Sequence, residues 1–283
     1  MGLKQTIGRM MPSLLRTTIL IRKETKALGS LPRLQCDTDS LRCKSALSLH
    51  DVFNSSDIHR MWGHSQKATD TFSIPDGTGG VNPGDRRALY YLISALKPAS
   101  VLEIGTHIGA STLHIASALY MSQIQDGKSA GLTTVDIKDV NDPVTKPWLR
   151  YGATASPSGM LNKLDYGGFV TFVVDGFLRY AASCEQRFDL VFLDGDHAAK
   201  AVYQDIPAAL RLLNPHGIVL LHDYFPGMKP LWSNGSVIPG PFLATERLAQ
   251  EGAKLMVLPL GSLPWTTKLQ SNVTSLALLL RNE

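Results

Sequence analysis

The sequence predicts an α/β protein built on a doubly wound, mostly parallel sheet. From residue 100 onward, short apolar runs alternate with segments of helical periodicity, which is the pattern of strands joined by crossover helices. Several of these runs end in glycine or acidic residues, as strands do where they leave a sheet. The chain has 283 residues, 44% of them hydrophobic and 18% charged, which fits one large globular domain with an extension.

The elements follow in order from a turn-rich run at residues 76–84. This run predicts a boundary near residue 80, between an N-terminal extension (1–80) and a main domain (81–283). Leu89, Leu92 and Leu96 repeat at helical spacing, and Pro98 ends that helix. The predicted strands are 100–104, 132–136, 170–174, 189–193, 217–221, 254–258 and 274–280, and the predicted helices after the first strand are 110–121, 198–213 and 242–251.

The positive charge of the chain is concentrated at its start. The formal net charge is +4, yet residues 1–35 carry seven basic residues and one acid, so the rest is slightly negative. A body of that charge argues against nucleic-acid binding. The apolar runs of the basic segment are too short to span a bilayer, so we expect a peripheral or dimer-forming helix without stable membrane insertion. Three unpaired cysteines, Cys36, Cys43 and Cys184, indicate a cytoplasmic protein with reduced thiols.

The turn after the first predicted strand is the strongest candidate for a ligand site. Gly105 and Gly109 let the backbone approach a ligand there, and Ser111 lies in the first turn of the following helix. The next strand ends in Asp136, where an acid can bind a ribose diol. His107 occupies the middle position at which NAD-binding proteins have glycine, which favours S-adenosylmethionine (SAM) over NAD. The turn Asp175-Gly176 ends the third strand and either lines an adenine pocket or is only a turn.

Residues 103–111, Glu-Ile-Gly-Thr-His-Ile-Gly-Ala-Ser, resemble the first motif of catechol-type and caffeoyl-CoA-type O-methyltransferases. These are class I SAM-dependent methyltransferases, and the resemblance covers roughly residues 84–282. It implies a Rossmann-like sheet of seven strands with the last one antiparallel. It also implies that Glu103, Gly105 and Ser111 contact the methionine part of SAM, with Thr106 and Gly109 completing the cofactor turn, and that Asp136 binds the ribose.

A second polar cluster follows the fourth and fifth predicted strands. Asp194, Asp196 and His197 follow one strand, and His222 and Asp223 follow the other. Because the carboxyl ends of parallel strands meet at one edge, we expect these side chains near the cofactor turn. Two carboxylates suit a hard divalent cation such as Mg²⁺, with Asp194 and Asp223 as ligands. Such an ion lowers the pKa of a substrate hydroxyl, whose proton His197 or Asp196 could then accept.

These strand ends also resemble the metal motifs of the same enzymes and of a related family, acting on sugars and antibiotics, with Asp-Gly-Asp-His and His-Asp motifs. Catechol-type enzymes have Lys at the position of His197, which leaves the base open between His197 and Asp196. They have Asn where this chain has Tyr224, which leaves the third protein ligand open between His222 and water. Residues 224–242, rich in Pro, Gly and aromatic residues, are either a lid over the substrate or a packed loop.

The motifs together predict a metal-dependent O-methyltransferase that acts on a small-molecule hydroxyl of a sugar, phenol or secondary metabolite. Two alternatives stay open: a metal-independent methyltransferase for another acceptor, and a SAM- or nucleoside-binding protein without catalysis. An NAD-dependent oxidoreductase ranks below both. Residues 1–80 are expected to be helical, and assembly of a homo-oligomer through them is left open.

Overall fold

A computed structural model describes residues 13–43 and 48–282. Residues 1–12, the start of the predicted basic segment, lie outside the described residues. The helices are α1 (Ser13–Gly29), α2 (Leu49–Phe53), α3 (Ser56–Thr69), α4 (Pro83–Leu96), α5 (Ala110–Asp126), α6 (Pro157–Lys163), α7 (Phe177–Ser183), α8 (Ala199–Arg211) and α9 (Gly240–Gln250). Among the described residues, no helix is long and apolar enough to cross a membrane.

Seven strands form one sheet in the order β3-β2-β1-β4-β5-β7-β6. They are β1 (Ser100–Ile104), β2 (Gly131–Asp136), β3 (Val170–Val174), β4 (Phe188–Leu193), β5 (Leu213–Leu221), β6 (Leu255–Pro259) and β7 (Ala277–Arg281). The first five strands pair in parallel, and β7 runs antiparallel between β5 and β6. The predicted fold class is therefore confirmed, including the antiparallel last strand.

Helices cover both faces of the sheet, so the central strands β1, β2 and β4 are largely buried and read as apolar runs, whereas the edge strands β3 and β6 are partly exposed. One core lies under α3 to α6, and the other lies under α1 and α7 to α9. The strand β5 is longer than predicted, because it begins at Leu213 instead of residue 217. Its pairing with β4 shifts register between Phe188 and Leu190. The sequence Asn214-Pro215 at its start reads as a turn, which hid the first residues of the strand.

The N-terminal extension packs on both faces of the sheet. Helix α1 lies on α8 and α9, while α2 and α3 lie on α4. Arg247 of α9 donates hydrogen bonds to the carbonyl oxygens of Leu28 and Leu31. The segment after α1 crosses to the start of β5, where the Gly217 N–H donates to Ser40 and the Arg42 N–H donates to Gly217. The extension is thus integrated with the main domain, and its role in oligomerisation stays a prediction.

A glutamate is fully buried within the strand layer. Glu103 of β1 has no exposed surface, and its Oε2 accepts hydrogen bonds from the hydroxyls of Thr112 (2.6 Å) and Thr134 (2.7 Å). Its Oε1 has no partner among the described residues. Burial raises the pKa of Glu103 to about 7, although the hydroxyls of Ser111, Thr112 and Thr134 act in the opposite direction. The folded protein therefore holds this proton more tightly than the unfolded chain does.

This carboxyl should make the stability of the protein fall as the pH rises. Between pH 4.5, the ordinary pKa, and about 7, the folded value, the folded state binds one more proton than the unfolded state. The free energy of unfolding therefore decreases as the pH rises through this range. Glu103→Gln removes the titration, and its stability relative to wild type should rise by about 3 kcal/mol between pH 4.5 and 8. Urea denaturation at both pH values measures this, with Glu185→Gln at an exposed position as the control. Parallel pH profiles for wild type and Glu103→Gln would contradict the assignment.

Candidate active site

The carboxyl ends of β1, β2, β3 and β4 open into one cavity of about 900 Å³. Its walls include Gly105 of the glycine turn, Asp136 after β2, and Asp194 and His197 after β4. Parallel strands bring their carboxyl ends to the same rim, which explains why motifs far apart in sequence meet here. A volume of this size is sufficient for a nucleoside cofactor together with a small second molecule.

The glycine turn is pressed against the end of β4. Gly105 has φ of 98°, and a Cβ on it would collide with the backbone carbonyl of Asp194. His107, at the position of the middle glycine in dinucleotide-binding proteins, also has a positive φ, 49°. Its N–H donates to Asp136 Oδ2 at 2.9 Å, and its ring contacts Tyr151 edge-on with centroids 4.4 Å apart. His107 therefore forms part of the cavity wall.

Four of the eight predicted cofactor residues line this cavity: Gly105, Asp136, Asp175 and Gly176. The other four do not line the cavity, as far as the described residues show: Glu103, Thr106, Gly109 and Ser111. Glu103 and Ser111 are buried, and the Thr106 hydroxyl is hydrogen-bonded to that of Thr134 at 2.6 Å. A Cβ on Gly109 would lie 2.8 Å from Pro157 of α6, so its glycine serves helix packing. A direct contact of these four with the cofactor stays a prediction that the cavity lining does not support.

The carboxylates of Asp136 and Asp175 are already oriented by local hydrogen bonds. Asp136 Oδ1 accepts the Lys138 N–H at 2.9 Å, in addition to the bond from His107. Each of its oxygens keeps a free lone pair for a hydroxyl donor in the cavity. Asp175 Oδ1 accepts the Gly176 N–H at 2.6 Å and pairs with Arg179. The Asp175-Gly176 segment thus both forms a turn and lines the cavity.

The acids and histidines after β4 and β5 converge as predicted. Asp194 Oδ1 lies 2.6 Å from His222 Nδ1, and His197 Nε2 lies 3.6 Å from Asp194 Oδ1 and 3.5 Å from Asp223 Oδ2. The ligand atoms of Asp194, His197 and His222 all lie within 4.8 Å of one another. Asp223 has a positive φ of 53°, and its Oδ1 accepts a hydrogen bond from Ser275 at 3.3 Å. Both predicted metal acids therefore border one cluster.

The negative charge of this cluster affects the pKa of His222. Burial alone would lower the pKa of His222, but the negative charges of Asp194 and Asp223 outweigh it and raise the pKa well above its ordinary value. The imidazole thus carries positive charge among carboxylates when no other cation is present. A cation that binds here would take over that compensating role and displace the proton.

Asp196 lies in the cavity wall beside the cluster. Its side chain is exposed, and its Oδ1 accepts the Ala198 N–H at 2.9 Å, which leaves Oδ2 free. Asp205 of α8, a residue not predicted for the site, lines the same cavity. Burial raises the pKa of Asp205 to about 7, and the charge of Asp196 adds to this shift. Asp205 lies four residues after Ala201, which also lines the cavity, and no motif in the sequence singles it out.

The segment after β5 is a packed loop and is no lid over this cavity. Phe225, Trp232 and Val237 are buried together in a small core of their own. The outer wall comes instead from residues 137–151, where Trp148 and Tyr151 line the cavity. Residues 224–242 were interpreted either as a lid or as a packed loop. The structure supports the packed loop, because Phe225 and Trp232 pack against each other.

Comparisons with known proteins find similarity to methyltransferases. Residues 102–224 match a family described as a methyltransferase domain. A protein of Mycobacterium sp. (strain JLS), named as a candidate O-methyltransferase, is 28% identical over 151 residues, which are 53% of this chain and 60% of that protein. The chain therefore aligns with less than two thirds of the length of this curated relative.

Two solved structures share the fold. TomG, an O-methyltransferase of Streptomyces achromogenes in complex with SAM, superposes with a TM-score of 0.51 at 16% identity, covering 84% of this chain and 100% of TomG. Cofactor-bound Rv0187 from MTB gives 0.52 at 20% identity, covering 83% and 94% of the two chains. At these identities the likeness concerns the fold. Residues 102–224 are therefore similar to a methyltransferase domain, and the chain shares the fold of these two solved structures.

Proposed function

We propose that this chain transfers the methyl group of SAM to a hydroxyl group of a small molecule, with a divalent cation held at one end of the cavity. The observation that carries the proposal is the shared cavity. Its walls contain both the glycine turn with Asp136 and the cluster around Asp194 and His197. A donor bound at the first group and an acceptor bound at the second would face one another without a barrier of protein between them.

The donor end fits a nucleoside. Asp136 projects from the end of β2 with free lone pairs on both carboxylate oxygens, which suits the two hydroxyls of a ribose. Gly105 brings backbone close to the same space, and Asp175-Gly176 borders it on the far side. The apolar side chains of Ile104, Ile108 and Phe177 also line the cavity and would exclude water from around the sulfonium.

The residues present at the other end fit a divalent cation. Asp194, His197 and His222 would hold the ion, with Asp223 adjacent. Within the described residues, His197 and His222 are the groups recorded at ion-pair distance from these two carboxylates. Mixed nitrogen and oxygen donors suit Mn²⁺, Co²⁺ or Zn²⁺ better than Mg²⁺, which prefers oxygen alone. When bound, such an ion lowers the pKa of a coordinated substrate hydroxyl and orients it.

The chemistry then needs a proton acceptor next to the hydroxyl. The acceptor oxygen forms a bond to the methyl carbon as the carbon–sulfur bond breaks, and the products are a methyl ether and S-adenosylhomocysteine. The hydroxyl proton passes to a side chain of this protein. Asp196 has a free Oδ2 in the cavity, whereas His197 Nε2 already lies between two carboxylates. This arrangement favours Asp196 as the base and His197 as a ligand.

Removal of the cation should separate binding from transfer. We expect chelation, or Asp194→Ala, to reduce methyl transfer at least 100-fold while the affinity for SAM changes less than threefold. Asp136→Ala should do the reverse and weaken SAM binding, because it removes the ribose contact. Calorimetry with SAM and a transfer assay over a panel of phenols and sugars provide the two measurements. Transfer that survives chelation would indicate a metal-independent enzyme, and SAM binding without any transfer would indicate a binding protein.

Two further variants distinguish the roles of Asp196 and His197. Asp196→Asn should lower kcat about 100-fold with little change in metal affinity, because only the proton acceptor is lost. His197→Ala should instead weaken binding of Mn²⁺, because it removes a donor atom from the cluster. Steady-state kinetics at saturating Mn²⁺ and a Mn²⁺ titration of each variant measure these effects. Unchanged kcat in Asp196→Asn would transfer the role of base to His197.

A further inference from the structure

A buried carboxylate lies directly behind the proposed metal cluster. Asp85, in the first turn of α4, has no exposed surface, and its Oδ2 lies 3.5 Å from Nε2 of His222. On its other side the same imidazole presents Nδ1 to Asp194 at 2.6 Å. His222 therefore lies between two carboxylates, one in the cavity wall and one in the core.

The carboxylate of Asp85 supports the start of its helix with one of its two oxygens. Asn82 caps α4, since its side-chain oxygen accepts the backbone N–H of Asp85 at 3.0 Å. Asp85 Oδ2 accepts hydrogen bonds from Asn82 Nδ2 at 2.7 Å and from the Ser275 hydroxyl at 3.4 Å. Asp85 Oδ1 and His222 Nε2 have no hydrogen-bond partner among the described residues. The pair thus leaves two buried polar atoms without a partner, which is costly for the fold, while Asp85 Oδ2 is the oxygen that faces the imidazole.

We propose that Asp85 is a positioning residue that keeps the proton of His222 on Nε2 and so presents the lone pair of Nδ1 to the cation. Without an ion, Asp194 is the nearer carboxylate, at 2.6 Å from Nδ1, and Asp85 lies 3.5 Å from Nε2. If an ion occupied Asp194 and Nδ1, Asp85 would be the carboxylate that remains to accept the single N–H of the neutral imidazole. Carboxylates behind metal-bound histidines act in this way in other proteins. The inference rests on the proposed metal dependence, and it connects α4 at the start of the main domain to the chemistry after β5.

A single substitution tests this role. Asp85→Asn replaces an obligate acceptor by an amide that can donate to Nε2, which favours the tautomer with the proton on Nδ1. We expect the affinity of the full-length protein for Mn²⁺, followed by electron paramagnetic resonance of the free ion, to fall 10- to 100-fold. Asp57→Asn is the matched control, because Asp57 also lies in the first turn of a helix but is exposed on α3. Asp57→Asn should bind Mn²⁺ as wild type does.

The tautomer itself provides a readout that does not depend on how well the variant folds. In ¹⁵N-labelled wild-type protein with Zn²⁺ bound, NMR of the His222 ring should show the proton on Nε2. Equal Mn²⁺ affinity in Asp85→Asn and wild type would overturn the role of Asp85 and leave the metal site intact, whereas a proton on Nδ1 would overturn the role of Asp85 and also remove His222 from the ligands. Failure of the wild type to bind any divalent ion would instead overturn the metal dependence as well, so the two failures are distinguishable.

A second, independent observation concerns the outward face of α1. Arg16, Arg22, Lys23 and Lys26 are exposed there, together with Leu15 (49%) and Ile19 (50%). The acid of α1, Glu24, is turned inward and accepts the Ala199 N–H of α8 at 2.8 Å. The described exposed face of α1 is therefore basic and apolar without a compensating carboxylate, while the rest of the chain is slightly negative.

We infer that this face binds an anionic lipid surface. Basic side chains next to exposed aliphatic ones on one helix match anionic headgroups above an acyl layer. A second copy of the chain, paired through a twofold axis, would bring the same positive charges together. A nucleic acid would bind the basic side chains but would not bury the exposed aliphatic side chains of Leu15 and Ile19. The contact between Glu24 and α8 means that a bound membrane would lie near the helix that begins beside His197.

Vesicle sedimentation of the full-length protein tests this surface. We expect binding to vesicles of 70% phosphatidylcholine and 30% phosphatidylserine, no binding to pure phosphatidylcholine, and release at high salt. The double variant Arg22→Glu/Lys26→Glu should lose at least tenfold in binding. Lys128→Glu/Arg211→Glu, with the same charge change at exposed positions, should bind as wild type. Equal loss in both variants, a dimer that the α1 variant dissociates, or binding to single-stranded DNA in preference to vesicles would overturn the inference.

Discussion

The site depends on one close backbone contact, between Gly105 at the end of β1 and the carbonyl of Asp194 at the end of β4. These strands are neighbours in the sheet, and their register aligns Ile104 with Leu193. The glycine turn and the acidic motif therefore leave the sheet side by side, and any side chain at residue 105 would separate them. Without this contact, the two halves of the cavity would be parts of two different surfaces.

The same neighbourhood concentrates negative charge in a poorly solvated place. Asp85, Asp194 and Asp223 surround His222, and the charges of the last two hold the imidazole in its protonated form against the effect of burial. Carboxylates with this little water are costly unless a cation compensates them. The fold supplies one cation through His222, and the proposed divalent ion would replace that proton. The stability of the fold and the proposed chemistry would then depend on the same electrostatic balance.

The sequence predicts the location of a residue correctly where that location follows from the direction of the strands. Strand ends in a parallel sheet share one rim, so Asp136, Asp194, His197 and Asp223 could be assigned to a common site from their positions after apolar runs. Side-chain direction within a turn is set by tertiary packing, which is why Glu103 and Ser111 were expected in the pocket but are buried behind it. No motif in the sequence singles out Asp85, because its proximity to His222 depends on contacts between elements 137 residues apart.

The strand-like pairing of residues 40–42 with Gly217 and Arg281 has a consequence for how the chain can be divided. This segment fastens the extension to the rim opposite the cavity, while α1 and α3 shield opposite faces of the sheet. A truncation at residue 81 would remove α1, α2 and α3. It would expose apolar residues of both hydrophobic cores, the one that contains Leu89 and the one that contains Leu102. The boundary visible in composition is therefore not a suitable truncation point, because α1, α2, α3 and residues 40–42 pack on the main domain.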